Sequence, residues 1–98
     1  MTTDIDIGRE EAHGRGRFFF EREGVRLAEM TYARRGPTHV TIDHTRVDDS
    51  LKGLGVGRRL FDTALAWARS TGTRVAATCS YARAQFEKDA SSQDVYER

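Results

Sequence analysis

The segment with the strongest chemical signal is Lys52-Gly53-Leu54-Gly55-Val56-Gly57-Arg58. Glycines at alternate positions let backbone N–H groups turn toward one point with no side chain in the way. The apolar period becomes helical directly afterwards, so the loop delivers the chain into a helix start, whose first N–H groups have no intrahelical partner. Donors converging at the positive end of a helix suit a phosphate or pyrophosphate. Lys52, Arg58 and Arg59 add mobile positive charge. The segment is not a P-loop, because no Gly-x-x-x-x-Gly-Lys-[Ser/Thr] occurs. It is not the dinucleotide Gly-x-Gly-x-x-Gly either, since Arg58 stands where the last glycine belongs and Gly72–Ala77 lacks the expected acid. A turn that only lets a helix pack closely on a sheet is the competing reading. The strand before and the helix after favour anion binding.

The second constellation is His44 with Cys79. Histidine titrates near neutrality and can take a proton from an amine or a thiol. A cysteine where a helix begins can become a nucleophile. Strict alternation puts Val40, Ile42 and His44 on one strand face and Thr41, Asp43 and Thr45 on the other. Val75, Ala77 and Cys79 share a face of a later strand. If the two strands are parallel neighbours, His44 and Cys79 lie toward the carboxyl edge of the sheet, where open α/β sheets bind ligands. The plainer readings are a satisfied strand histidine and a small core cysteine. Asp43, on the opposite strand face, makes a poor third member of a Cys–His hydrolase site.

The elements that must position these residues can be read from periodicity. Ile5 and Ile7 alternate as a short edge strand or a loose terminus. Arg17–Glu21 and Val25–Ala33 read as a hairpin around Glu21-Arg-Glu-Gly24. Phe18, Phe19 and Phe20 face alternate ways, which suggests core burial plus a dimer contact. Thr38–Val47 is a strand, Val56–Arg69 an amphipathic helix stopped by Gly72, Thr73–Cys79 a short strand and Tyr81–Lys88 a second helix. Strand–loop–helix–strand is a βαβ crossover, which gives parallel strands with a right-handed connection. The expected architecture is α/β (α+β), a mixed sheet of antiparallel strands followed by a βαβ unit and a C-terminal helix.

The chain has 98 residues, 38% of them hydrophobic, enough for one small core, so residues 1–98 read as a single domain with its core about 17–88. A chain this size is near the limit for burial, so monomer and homodimer both fit. Sixteen basic against fifteen acidic residues leave +1, which argues against a nucleic-acid arm or an acidic tail. One cysteine and three scattered histidines exclude an intrachain disulfide and give no metal pattern. No apolar run approaches a membrane span, and the acidic start does not match a signal peptide, so a cytoplasmic protein with no membrane partner is expected.

Ile42-Asp-His-Thr-x-Val47, Leu51-Lys-Gly-Leu-Gly-Val-Gly57-x-x-Leu60, Ala64-x-x-x-Ala68-Arg69 and Cys79-Ser-Tyr81 occur in that order. Together with Phe20-Glu-x-x-Gly24-x-x-x-Ala28-x-x-x-Tyr32 they resemble the small GNAT-like acyl-CoA N-acyltransferase family (YjdJ-type N-acetyltransferase-domain proteins) over about 17–88. The resemblance implies a minimal acetyltransferase fold that binds acetyl-CoA as cosubstrate and acts on a primary amine acceptor of unknown identity. Its pyrophosphate motif maps onto Lys52, Gly53, Leu54, Gly55, Val56 and Gly57, with Arg58 beside it; Lys52 stands where the family has Arg or Gln. Its His-Thr and Cys-[Pro/Ser]-[Phe/Tyr] positions map onto His44-Thr45 and Cys79-Ser80-Tyr81, and backbone near Val47 would run along the pantetheine arm. His44 then acts as general base, directly or through water, and Cys79 as nucleophile or as the acid that protonates the leaving thiolate. Thr45, Val47, Ser80 and Tyr81 join the cofactor-binding set. The family's His-Pro near the end is absent from Phe86-Glu-Lys-Asp-Ala90. The stretch before Arg17 is too short for the helices with which larger members build an acceptor pocket. That favours, as a second reading, a CoA-binding module without independent transferase activity.

Overall fold

The computed structural model describes residues 6–97. Its strands are β1 (Gly8–Ala12), β2 (Arg15–Arg22), β3 (Val25–Gly36), β4 (His39–Val47) and β5 (Arg74–Ala77). Its helices are α1 (Val56–Thr71) and α2 (Ser80–Lys88). The strands form one sheet in the order β1-β2-β3-β4-β5. All pairs are antiparallel except β4–β5, the pair joined through α1. The expected order of elements is therefore observed, including the parallel crossover. The N-terminal strand differs in place: it begins at Gly8, and Ile5 lies outside the described residues.

Local rules account for most boundaries. The turns His13-Gly14 and Glu23-Gly24 have positive φ at both residues (55° and 76°; 52° and 79°), the primed geometry whose twist suits two-residue hairpins. The apolar stripe of α1, Val56, Leu60, Phe61, Ala64, Leu65 and Ala68, is buried, and the helix ends on Gly72. Strand β5 stops at Ala77, short of the expected Cys79, because the N–H groups of Thr78 and Cys79 both donate to the Ile42 carbonyl (2.9 and 3.2 Å).

Both helices cover one face of the sheet. Phe18, Phe20, Ala28, Met30, Tyr32 and Ile42 pack there against the α1 stripe. Fully burying a side chain such as Leu60 or Phe61 contributes about 1.5–3 kcal/mol. The edge-on contact of Phe61 with Phe86 (4.8 Å between centroids) ties α2 into the same core. Tyr32 lies across Gly16, its paired residue on β2. A Cβ at Gly16 would stand 2.2 Å from the Tyr32 ring, so no larger residue fits there without moving that ring. Trp67 stacks on the other side of Tyr32 at 5.4 Å. The Tyr32 hydroxyl donates to Glu11 (2.7 Å) and accepts from Arg9 (2.8 Å).

The opposite face carries no helix and is polar: Arg17, Glu29, Thr31, His44 and Arg46 stand on it. Phe19 is half-buried on this face. The Arg26 guanidinium covers its ring at 3.8 Å.

Glu11 anchors β1. Two hydrogen bonds from Arg34, then the Tyr32 hydroxyl, draw its carboxyl down from the usual range to about 2. A depressed carboxylate contributes stability above its unfolded pKa of about 4.3, and the contribution is lost as pH falls through the folded value. Glu11→Gln should therefore weaken the protein at pH 7 and flatten the fall in its urea midpoint between about pH 4.5 and 2. An unchanged acid limb in that variant would assign the acid sensitivity to other carboxylates.

Candidate functional site

The site begins with an extra residue. On β3, Tyr32 pairs with Ile42 and Thr31 with His44, so Asp43 bulges out of the ladder. Its carboxylate accepts from Thr31 Oγ1 (2.5 Å) and Arg15 Nη2 (2.9 Å), which holds the bulge. Those contacts hold the Asp43 carboxyl below its ordinary pKa even though burial opposes them. One inserted residue reverses the parity of the rest of the strand. His44 is thereby exposed on the helix-free face, whereas Thr45 and Val47, paired with Met30 and Ala28, turn to the helix face. This corrects the alternation expected from sequence, which put His44 with Ile42 and Thr45 opposite them. Asp43 shares the face of His44 but is committed to Thr31 and Arg15.

The bulge also ends the parallel pairing. β5 is matched to β4 only from His39 to Ile42. Beyond that point β4 continues to Val47 with no strand beside it on that side, and the chain leaving β5 turns into α2. β5 ends there, and the free edge of β4 and the chain entering α2 bound a slot. Cys79 sits at its vertex, nine-tenths buried, with Sγ 3.2 Å from Thr45 Oγ1. Cys79 faces the helix side and His44 the other. They flank the slot from opposite faces and do not meet on one.

At the open end of the slot stands the amino terminus of α1. Asp48 accepts from the Ser50 N–H and hydroxyl and so caps the short 3-10 turn Asp49–Leu51, while Leu51 is buried in the core. The chain then enters α1 through Gly55, whose φ of 71° suits glycine far better than a branched residue. No side chain caps this helix and its first turn holds no acid. Arg59 N–H closes the first helical bond onto Gly55 O, so the N–H groups of Val56, Gly57 and Arg58 have no intrahelical acceptor. Together with the helix dipole they form a cradle of backbone donors at the positive end of α1. Lys52, Gly53 and Leu54 are exposed at the loop tip. The Val56 side chain belongs to the core, leaving only its backbone for a ligand.

Tyr81, in the first turn of α2, crosses to this cradle. Its hydroxyl lies 3.1 Å from where a Cβ on Gly57 would be, so Gly57 is the residue that admits it. Burial raises the Tyr81 pKa above 10, against the opposing pull of Arg58. The phenol therefore keeps its proton at neutral pH. Ser80 is exposed beside it.

The Arg58 side chain is not the mobile phosphate ligand expected from sequence. It donates to Asp62 (2.9 Å), Gln85 (3.0 Å) and Asp89, lashing α1 to the end of α2. Asp89, which caps the next turn through Ser91, is held at about 2 by the Ser91 hydrogen bonds and then by Arg58. Three acceptors at fixed positions satisfy this guanidinium, and only its backbone N–H faces the cradle. Among the described residues no cluster of His, Cys, Asp and Glu has the geometry to hold a metal, and no helix is long and apolar enough to cross a bilayer.

Residues 17–95 match the GCN5-related N-acetyl-transferase family. A GCN5-like N-acetyltransferase candidate from Staphylococcus aureus, solved by NMR, is 34% identical with a TM-score of 0.73, covering 98% of this chain and 91% of its own. The ribosomal-protein-alanine N-acetyltransferase of Brucella melitensis shares the fold at 15% identity and a TM-score of 0.65, over 81% of this chain and 63% of its own. A GNAT family acetyltransferase from Elizabethkingia anophelis with acetyl-CoA bound shares it at 9% identity and a TM-score of 0.60, over 76% and 64%. No curated protein matches the chain.

The Arg58 clamp predicts a separation of effects. Arg58→Met should cost about 1 kcal/mol of stability, a drop of about 4–8 °C in Tm for a domain this size. Its affinity for coenzyme A by calorimetry should change less than about threefold, under 1 kcal/mol. A tenfold loss of affinity with an unchanged Tm would return the side chain to the ligand.

Proposed function

This chain belongs to the GCN5-related N-acetyltransferase family, and we propose that it is itself an active enzyme, moving an acetyl group from acetyl-CoA to a primary amine in the cytoplasm. The observation that carries the reading is the slot between β4 and β5, open toward an uncapped helix N-terminus. The cradle at Val56, Gly57 and Arg58 accepts a diphosphate through backbone donors. The free backbone edge of β4 from Thr45 to Val47 offers an amide-bearing arm the hydrogen bonds of a missing strand. The reactive end of such a ligand then lies toward the vertex, at Thr45 and Cys79.

In the transfer a nitrogen–carbon bond forms, the carbon–sulfur bond breaks, and one proton passes from the amine to the enzyme or water while the thiolate gains another. His44, on the far side of the slot, is the base for an amine approaching from the helix-free face. Cys79 serves as acetyl-accepting nucleophile or as the donor that protonates the thiolate. Tyr81, protonated and close to the cradle, supports the ligand from α2. Lys52 and Leu54, exposed at the loop tip, close over the diphosphate, and Ser80 lies beside Tyr81.

A ligand at a hundred times its Kd adds about 2.7 kcal/mol to folding stability. Saturating acetyl-CoA should raise Tm by on the order of 10 °C. An unmoved Tm removes the cofactor assignment altogether. His44→Gln and Cys79→Ala should each lower kcat/KM by about 100-fold or more, while the Kd for acetyl-CoA stays within about threefold. Thiol release with a panel of amines is the assay. Tight binding with no amine-dependent release would leave a coenzyme-binding module. An acetylated Cys79 trapped by mass spectrometry would select the nucleophilic role.

A further inference from the structure

We infer that the acceptor is an amine that carries a carboxylate, seated on the helix-free face of the sheet with its nitrogen toward His44 and its carboxylate on Arg46. This rests on the acetyltransferase reading above and names its substrate class.

An open groove of about 510 Å³ lies on this face, lined by Arg17, Glu21, Arg26, Glu29, Thr31 and Arg46. Strand register ties it to His44. Arg17, Thr31 and His44 form one row across β2, β3 and β4, and Glu29 pairs with Arg46 one step further out. The bulge at Asp43 turned His44 and Arg46 together onto this side.

The charges in the groove are unequally satisfied. Arg26 grips Glu21 with two hydrogen bonds (2.7 and 2.9 Å), and Arg17 holds Glu10 at 2.8 Å. Arg46 meets the Arg26 carbonyl at 3.4 Å and Glu29 at 3.9 Å, and its charge also acts on Asp48. The Glu29 carboxylate accepts no side-chain hydrogen bond among the described residues; Arg17 stands 3.8 Å from it and Arg46 3.9 Å. Arg46 is thus the most loosely paired guanidinium of the lining, its nearest carboxylate being Glu29 at 3.9 Å, and its planar fork matches a carboxylate with paired hydrogen bonds.

Spacing then limits the acceptor. His44 and Arg46 alternate on one face, about 6.6–7 Å apart along the strand. Side chains rooted that close on one face let one short molecule bearing both an amine and a carboxylate contact both at once. The lining sums to one net positive charge, from three arginines against two glutamates. A polyamine meets like charge there, and a plain alkylamine makes no use of the loosely paired Arg46 guanidinium. Glu29, beside Arg46, favours a single anionic group over several.

The test uses the full chain, acetyl-CoA and matched acceptors: glycine, β-alanine and phenylalanine, their methyl esters, and methylamine, ethylamine and phenethylamine. The free acids should show kcat/KM at least about 10-fold above their esters and decarboxylated partners, a factor of ten being about 1.4 kcal/mol. Arg46→Gln should raise KM for the acids and bring that ratio near one, and Arg46→Lys should restore part of it. In the unaltered protein, β-alanine should shift the NMR amide signals of Thr31, His44 and Arg46, and its methyl ester should not. Equal turnover of acids and esters, or a preference that survives Arg46→Gln, overturns the inference and leaves the transferase standing. No thiol release with any amine, with acetyl-CoA bound, removes the transferase reading and this one with it.

Discussion

The insertion of Asp43 into β4 is the constraint on which the rest of the site depends. A regular antiparallel ladder would carry His44 inward with Ile42 and let β5 continue beside β4 to its end. The extra residue, held by hydrogen bonds from Thr31 and Arg15, does neither. It reverses the faces of the last residues of the strand, and the pairing with β5 stops just before it. The freed carbonyl of Ile42 takes two N–H groups from the chain leaving β5, and that contact sets Cys79 at the vertex. A small local cost in pairing produces an open backbone edge, a thiol on one side of it and an imidazole on the other.

The second requirement is a helix start with nothing of its own to satisfy it. Most helices carry a Ser, Thr, Asp or Asn cap, because unpaired N–H groups are costly. α1 carries Gly55 and no acid in its first turn. The adjoining turn shows the contrast, since Asp48 caps it through Ser50. The Arg58 side chain is held by Asp62, Gln85 and Asp89, so at that residue only the backbone N–H is left to the cradle. Backbone donors are fixed by the fold and need no side-chain ordering when an anion arrives.

A domain of this size has little core to spare, and its aromatic residues do double service. Tyr32 fills the space over Gly16, stacks with Trp67 and directs its hydroxyl to Glu11 and Arg9, so β1 is fastened to the sheet through one phenol. Phe86 joins Phe61 and Tyr96, carrying the core from α1 through α2 to the end of the chain. With the helices all on one side, the other face is left to charge. Its arginines and glutamates form a surface that leads to His44.

Much of this was legible before any coordinates. Alternation in β2 to β4, the change of period at Val56, the stop at Gly72 and the alternating glycines each follow from interactions within a few residues, and they specify the elements, the parallel crossover and the glycine turn into α1. The face of His44 was not legible from alternation, because a bulge is decided by the partner strand. The one trace in the sequence is a change of parity: Val40 and Ile42 are apolar at even positions, Val47 at an odd one. The fate of Arg58 was hidden for a similar reason, since its acceptors Gln85 and Asp89 lie 27 and 31 residues away. The same holds for the meeting of Thr45 with Cys79, 34 residues apart, and for the row that sets Arg17 and Thr31 beside His44. Short-range chemistry determined which elements form; long-range pairing decided which side of the sheet each reactive group would face.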